Sequence, residues 1–481
     1  MSEQVGRRAS TLLTVAMVLT GGALAAVFLG PQRLGLDEWP WPRVSEPVWD
    51  RMAYPLVVFA LLGGVVTVLW ARMPRLSRIE AAVLVMLLSG LAFVAQVMVG
   101  QQGRAGYHES LFAVGLPAAS SYHQEARKVT RLGEYLAGYE REVRRRPFRV
   151  QLSTHPAGPV VLFWCLNHAF AGRPMAAALF AAMSEPELAG VWLATLVLRL
   201  AASLVVVPVY LMASSWYGRR AGLGAAAFSA AIPSLLLFSP ILDQCFPALA
   251  ATACWLGYRA GERRSAGWAV LAGLAVSAGL FLSLAFAVVA LVAALLAIVG
   301  LGKGGRRPQG RDLAKLLAGA SAGLVAPVVT LYVAVGYNSL AVWKACWDGN
   351  AEFNRLTHRT YWKWALVNPV EFLAFLGVPL ACLFVRRVAS EVGQLGRRKL
   401  AGRDWPTLVV AGLLVLLDVL GANLGEVARL WMFLMPACAV AAAAEVERYT
   451  PYRRAVFLAL FALQCLQVAL FRAGLDVLNI T

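Results

Sequence analysis

Glu80-Ala-Ala-Val-Leu-Val-Met-Leu-Leu-Ser-Gly-Leu-Ala-Phe-Val-Ala-Gln-Val-Met-Val99 decides the fold. Its only charge stands at its first position. Coiled as a helix at about 1.5 Å per residue, such a run reaches roughly 30 Å, the thickness of a bilayer's hydrocarbon core. Arg72, Arg75 and Arg78 precede it, and a long polar segment from 100 to 153 follows. Comparable runs fall at 11–30, 54–71, 189–214, 220–239, 241–258, 265–283, 284–301, 314–335, 366–385, 406–422, 428–444 and 455–473. The 481 residues are 59% hydrophobic and 15% charged, with a mean hydropathy of +0.65. The pattern predicts an all-α polytopic transmembrane bundle of about 13 spans, read as a hairpin at 1–78 followed by a body at 79–481.

Other classes recede. Seven cysteines show no CxxC or Cys/His ligand spacing, so neither a zinc site nor a disulfide framework is implied. Met1–Ser10, with Arg7 and Arg8, resembles the start of a signal peptide, but Thr11–Gly30 is long and reads as a retained first helix. The net charge of +18 belongs largely to basic clusters at alternate connections, among them Arg219/Arg220, Arg259/Arg263/Arg264 and Arg448/Arg453/Arg454, and implies no nucleic-acid partner. Since positive residues favour the cytoplasmic side, the amino terminus is expected inside and the carboxyl terminus outside a plasma (inner) membrane.

Two segments resist the simple scheme. Residues 157–188 hold an apolar run, a Gly172-Arg173-Pro174 break and a second apolar patch, which parity makes either a helical hairpin or a re-entrant element. The 100–158 loop is expected outside, yet it carries nine basic residues. Within it Ala126, Val129, Leu132, Tyr135/Leu136, Tyr139 and Val143 recur every three or four residues, predicting an amphipathic helix lying on the membrane and contacting its lipids.

At the end of that loop stands Thr154-His155-Pro156-Ala157-Gly158-Pro159. The prolines withhold backbone donors and fix the chain's entry into the next apolar run, leaving the imidazole at the water interface. With it come Ser-Ser-Tyr122-His-Gln-Glu125-Ala126, Tyr135-Leu136-Ala-Gly-Tyr139, Phe238-Ser-Pro-Ile-Leu-Asp243-Gln244, and Gly425-Glu426-Val-Ala-Arg429-Leu-Trp431 before Met435-Pro436. In this order the segments resemble the GT-C superfamily of membrane glycosyltransferases, in its bacterial mannosyltransferase-like and aminoarabinose-transferase-like branch. The resemblance spans roughly 100–445 and leaves Met1–Ser77 as an added hairpin. It implies inverting transfer of a sugar from a polyprenyl-phosphate-linked donor to a lipid, glycan or protein acceptor on the extracytoplasmic face, sometimes assisted by a divalent cation. One departure is plain: the family's early Asp-Glu or Asp-x-Asp is replaced by Ser120-Ser121. Asp37-Glu38 follows the first span but lacks the downstream Tyr…Ala-Arg and His-Pro context.

The predicted external segments gather the residues such chemistry needs. A carboxylate can take the proton from an acceptor hydroxyl. Glu125, at the start of the amphipathic helix, is the first choice because it stands beside the family-like Tyr122 and Ala126; a helix's positive end keeps it ionised, a weak base but one always available. Glu109 is second and Asp243 third. Arginine holds a departing phosphate through a bidentate fork, which points to Arg429 with Glu426 orienting it. Tyr122, His155, Gln244 and His358 complete the expected substrate contacts, with the tryptophans of 336–365 offering flat apolar faces. No metal ligands are assigned and no carboxylate cluster demands an ion. Each residue also has a structural reading: Glu125 a solvated charge, Asp243 a turn cap, Glu426–Arg429 an i,i+3 ion pair. Two other functions fit the composition, a transporter or lipid flippase and an inactive sugar-lipid-binding scaffold.

Overall fold

The computed structural model describes residues 2–31, 33–44, 46–115, 121–145, 150–170, 189–303, 309–397 and 405–478. Apart from one β-hairpin, β1 (Arg33–Leu36) with β2 (Trp39–Pro42), the regular structure among them is helical. The chain opens with α1 (Ser2–Leu29), the hairpin, α2 (Ala53–Arg72) and α3 (Arg78–Gln101). Five shorter helices follow: α4 (Tyr107–Gly115), α5 (Ser121–Lys128), α6 (Leu132–Arg145), α7 (Val150–Thr154) and α8 (Gly158–Phe170). Next come α9 (Ala189–Ser203), α10 (Val206–Tyr217), α11 (Arg219–Ser229), α12 (Pro233–Leu237) and α13 (Phe246–Arg263). Then α14 (Ala266–Leu282), α15 (Phe286–Leu301), α16 (Gly310–Val335) and α17 (Ser339–Leu356) lead to α18 (Tyr361–Leu376) and α19 (Val378–Gly396). The last are α20 (Trp405–Leu420), α21 (Val427–Leu430), α22 (Met435–Val446) and α23 (Arg453–Gly474).

Six helical stretches among the described residues are long and apolar enough to cross a membrane: Glu3–Leu29, Asp50–Trp70, Arg78–Gln101, Gly190–Tyr217, Gly310–Val335 and Arg453–Gly474. A seventh arises if α18 and α19, bent by 116° at their junction, form one span. The other expected spans are shorter or interrupted. The 17 residues of α14 reach about 26 Å, below the roughly 30 Å of a bilayer core. The run at 220–239 breaks before Pro233, which starts α12 at its first position. The choice between hairpin and re-entrant element at 157–188 rests on residues 171–188, outside the described ones; only α8 is seen.

Small residues let the helices approach. Every residue of the alanine-rich α22 is buried, with α11 and α19 packed on it. Gly257 and Gly261 of α13 lie directly on the backbone of α15 at Ala293 and Ala297, where any side chain would collide. The bend between α18 and α19 is made by Gly377, at φ +101°, and Gln464 of α23 fills the space above it. Gln464 also donates to the Leu376 and Ala231 carbonyls, and Gln467 accepts from Val378 N and donates to Ala374 O. Two glutamines of one span thus satisfy backbone groups freed where other helices break, as an apolar surrounding requires.

The amphipathic stretch differs from expectation in two ways. It is two helices, α5 and α6, separated at residues 129–131. Its apolar face is also covered by protein: Leu136, Tyr139 and Val143 pack with Ala157, Tyr337, Val342, Ala345 and Cys346. Val342, Ala345 and Cys346 of this covering belong to α17, inside the segment 336–365 that reads as a loop; Asn338 caps that helix by accepting from Ala341 N. The first 78 residues pack closely on the rest. α1 lies against α23 and α19, α2 against α3 and α23, and the Trp41 ring sits 5.3 Å from Phe375 and 5.8 Å from Phe238.

Candidate functional site

The turn 421–431 forms the floor of a polar cluster. It breaks the chain between α20 and α22, with Gly421, Gly425 and Glu426 all at positive φ. Buried groups hold this irregular backbone. Asn368 of α18 accepts from Gly425 N and donates to Asn423 O, Glu371 accepts from Ala428 N at 2.9 Å, and Ser234 donates to Ala428 O at 2.7 Å. So fixed, Glu426 presents one carboxylate oxygen to Arg429 at 2.9 Å and the other to Arg359 at 2.7 Å. Arg359 is almost wholly enclosed; it also donates to Leu424 O and lies about 5 Å from the ring centroids of both Trp39 and Phe353. Arg429, by contrast, keeps about a third of its side chain exposed (32%).

Asp243 completes this network from across the bundle. It stands on the 3-10 turn Leu242–Cys245 after Ser239-Pro240, and its carboxylate lies 3.4 Å from Arg429 Nε. The Arg429 guanidinium is therefore held between two carboxylates, Asp243 and Glu426.

Tyr122 and His155 lie within electrostatic reach of both Asp243 and Arg429. Their rings meet edge to face at 5.8 Å. The turn carrying His155 is pinned by two buried tyrosines: Tyr139 donates to His155 O at 2.9 Å, and Tyr337 accepts from Ala157 N. Burial lowers the His155 pKa below its ordinary 6.5; Asp243 acts against that shift and Arg429 adds to it. The imidazole is then neutral at pH 7. Its Nδ1 lies 3.0 Å from the Thr154 hydroxyl and 3.1 Å from the Gln151 carbonyl; the carbonyl only accepts, so that contact favours the tautomer with the proton on Nδ1 and Nε2 as acceptor. Burial, with the nearby Asp243 charge, pushes the Tyr122 phenol well above its usual range, so it stays a neutral donor.

The other expected site residues have different surroundings. Glu125 is buried one turn beyond Tyr122 and pairs with Lys128 at 3.4 Å. It falls past the first turn of α5, so the helix-end argument for its charge does not apply. Glu109 joins Arg472 and Ala105 N in a separate cavity lined by Arg43, Gln102, Arg104 and Asp476. Gln244 is fully buried and donates to Leu235 O, bracing α12. His358 is exposed, at φ +51°. Its neighbour Arg359 is the residue that reaches the cluster.

Arg359 was not legible as a site residue, and neither was Glu38. Glu38 accepts from Thr360 N (2.8 Å), Thr360 Oγ1 (2.6 Å), Trp364 Nε1 (2.8 Å) and Lys363 Nζ (3.0 Å). Some 320 residues separate these partners, and the only sequence signal was the Asp37-Glu38 pair itself. Among the described residues no group of three or more His, Cys, Asp or Glu is placed to hold a metal ion. Arg359, Arg429, Glu426 and Asp243 balance in charge, and the exposed part of the Arg429 guanidinium is what the network leaves free to meet an anion. No protein-family model matches this chain, and a search of curated proteins finds no match.

Proposed function

We propose that this chain is a GT-C-type membrane glycosyltransferase, moving a sugar from a polyprenyl-phosphate-linked donor to a lipid, glycan or protein acceptor at the extracytoplasmic face. The observation that carries the reading is the meeting of Asp243, Arg429 and Glu426 with Tyr122 and His155, drawn from three distant parts of an apolar helical protein. A carboxylate, an arginine and a neutral imidazole are costly to cluster there without a task.

In the proposed reaction Arg429 holds the donor phosphate through the part of its guanidinium left exposed. The acceptor hydroxyl attacks the anomeric carbon from the side opposite the phosphate, and Asp243 takes its proton. The new glycosidic C–O bond forms as the bond to phosphate breaks, leaving polyprenyl phosphate on Arg429 and inverting the anomeric centre. Tyr122 donates to sugar or phosphate oxygens, and His155 Nε2 accepts from a sugar hydroxyl. The amino terminus is cytoplasmic and the carboxyl terminus extracytoplasmic in an inner membrane crossed about 13 times, the short helices crossing as broken spans or where the bilayer thins around them.

The test is transfer by the purified chain in lipid vesicles, supplied with radiolabelled polyprenyl-phosphate sugars and membrane extracts as acceptor. Label should move to acceptor in the wild type and not in Asp243→Asn; absence of transfer from every donor sinks the reading. A second reading, a transporter or flippase, draws on the α18–α19 break and on Arg199, buried within an apolar span and donating to Ser110 and Ser239. It would give movement of labelled lipid across the vesicle with no new glycosidic bond.

A further inference from the structure

We infer that the β1–β2 hairpin is a working part of this site, with Glu38 a positioning residue that sets Arg359 and, through it, the Glu426–Arg429 pair. The effect on donor binding rests on the glycosyltransferase reading; the mechanical coupling does not.

The coupling follows from a continuous set of contacts. Asp37 and Glu38 form the two-residue turn between β1 and β2, whose register pairs Leu36 with Trp39. From that turn both Glu38 oxygens reach the start of α18, each taking two hydrogen bonds. The carboxylate thus binds the capping residue Thr360, which alone separates Arg359 from α18, and fixing Thr360's backbone fixes the origin of the Arg359 side chain. The same hairpin supplies the Trp39 ring, its centroid 5.1 Å from the Arg359 guanidinium carbon, and the Phe353 ring lies 5.0 Å from the same atom. Trp41 anchors the hairpin by packing on Phe238 and Phe375.

Downstream, Glu426 divides its carboxylate between two arginines. If Arg359 withdraws, Glu426 keeps only Arg429 and neutralises it more fully. Arg429 then has less charge to offer a phosphate. The charge that drives this is secure in the hairpin: burial would push the Glu38 carboxyl up, but the bonds from Thr360, Lys363 and Trp364 hold it at about 2. A residue that served only to staple the fold would lower the amount of folded protein and leave the affinity of folded molecules unchanged.

Hydrogen exchange and steady-state kinetics on the full chain in lipid nanodiscs test this together. In Glu38→Gln the peptide covering 421–430 should exchange about tenfold faster than in the wild type, with α11 and α22 unchanged. The KM for a polyprenyl-phosphate sugar should rise about tenfold, with kcat and the acceptor KM within about twofold. Glu38→Asp, which keeps the charge, should recover most of the protection at 421–430. Unchanged exchange at 421–430 overturns the inference, as does acceleration spread equally over all helices. A fall in kcat with both KM values unchanged also overturns it, since that marks a smaller folded fraction. If the wild type transfers no sugar at all, the glycosyltransferase reading fails and the exchange result alone decides the coupling.

Discussion

Replacing Glu426 by glutamine removes one negative charge from between two arginines while keeping shape and backbone preference. The two partners lose different amounts. Arg359 has a side chain only 2% exposed, against 8% for Glu426, so its charge has no access to water. Removing one member of such a buried pair costs roughly 3–5 kcal/mol, because the remaining charge is left uncompensated. Arg359 retains the Leu424 carbonyl and two aromatic rings, which places the expected loss near the lower end, about 3 kcal/mol. Arg429 adds little to this figure: it is partly exposed and still has Asp243, and exposed pairs contribute about 0–1 kcal/mol. Arg359→Met should cost less than Glu426→Gln, since Glu426 keeps Arg429. In the double variant no buried guanidinium faces an amide, so its cost should fall short of the summed single costs by at least about 1 kcal/mol. Equilibrium unfolding of the purified protein in mixed micelles with rising dodecyl sulfate, followed by tryptophan fluorescence, measures all three. The reasoning is refuted if Glu426→Gln lies within about 1 kcal/mol of the wild type, or if the two single costs simply add.

Arg429→Lys keeps charge but cannot face Asp243 and Glu426 with one planar fork, so turnover should fall about 10- to 100-fold at normal expression; unaltered turnover would reduce the cluster to structure. Asp243→Asn should lower turnover by about 10²–10⁴. Glu125→Gln and Glu109→Gln should each act more weakly, and a larger loss in either would move the base to that residue. Lowering the pH should have two separate effects. The depressed His155 pKa means that the unfolded chain binds the extra proton first, so the stability this group contributes is lost as pH falls below about 6.5 and is regained above it, and His155→Gln should flatten that limb in thermal unfolding. The depressed Glu38 pKa gives stability that is complete above the ordinary value of 4.5 and is lost as pH falls through about 2, a loss absent from Glu38→Gln. Cysteines at Arg127 and His358, both exposed, should react with an impermeant thiol reagent on intact cells in a background lacking the seven native cysteines; labelling only after membrane disruption would reverse the orientation.

The apolar periods were legible because they report a local quantity, the affinity of about twenty consecutive residues for hydrocarbon. They marked the long helices at 11–30, 80–99, 314–335 and 455–473. They could not show that 220–239 breaks before Pro233 with its Ala231 carbonyl met by Gln464, since composition carries no record of which helix lies alongside. The helical period at 126–143 was likewise legible, but not what its apolar face would meet. Lipid and the face of α17 are equally apolar, and 3.6-residue spacing cannot distinguish them. His155, Asp243, Glu426 and Arg429 could be singled out because polar groups beside apolar runs carry a desolvation cost that needs an explanation, whereas Tyr122 was named by its place in a family-like segment.

Sequence by itself thus determined a predominantly helical chain with membrane-length apolar helices, and it named most members of one polar cluster. Only the tertiary structure decided which of those members meet. It joined Asp243 to Arg429, sent Glu109 to Arg472 instead, replaced His358 by its neighbour Arg359, and brought Glu38 of the first hairpin to the start of α18. The reason is physical. Hydrophobic burial acts on each segment by its own composition, whereas an ion pair depends on distance and enclosure, and those are set only when helices far apart in the chain have packed.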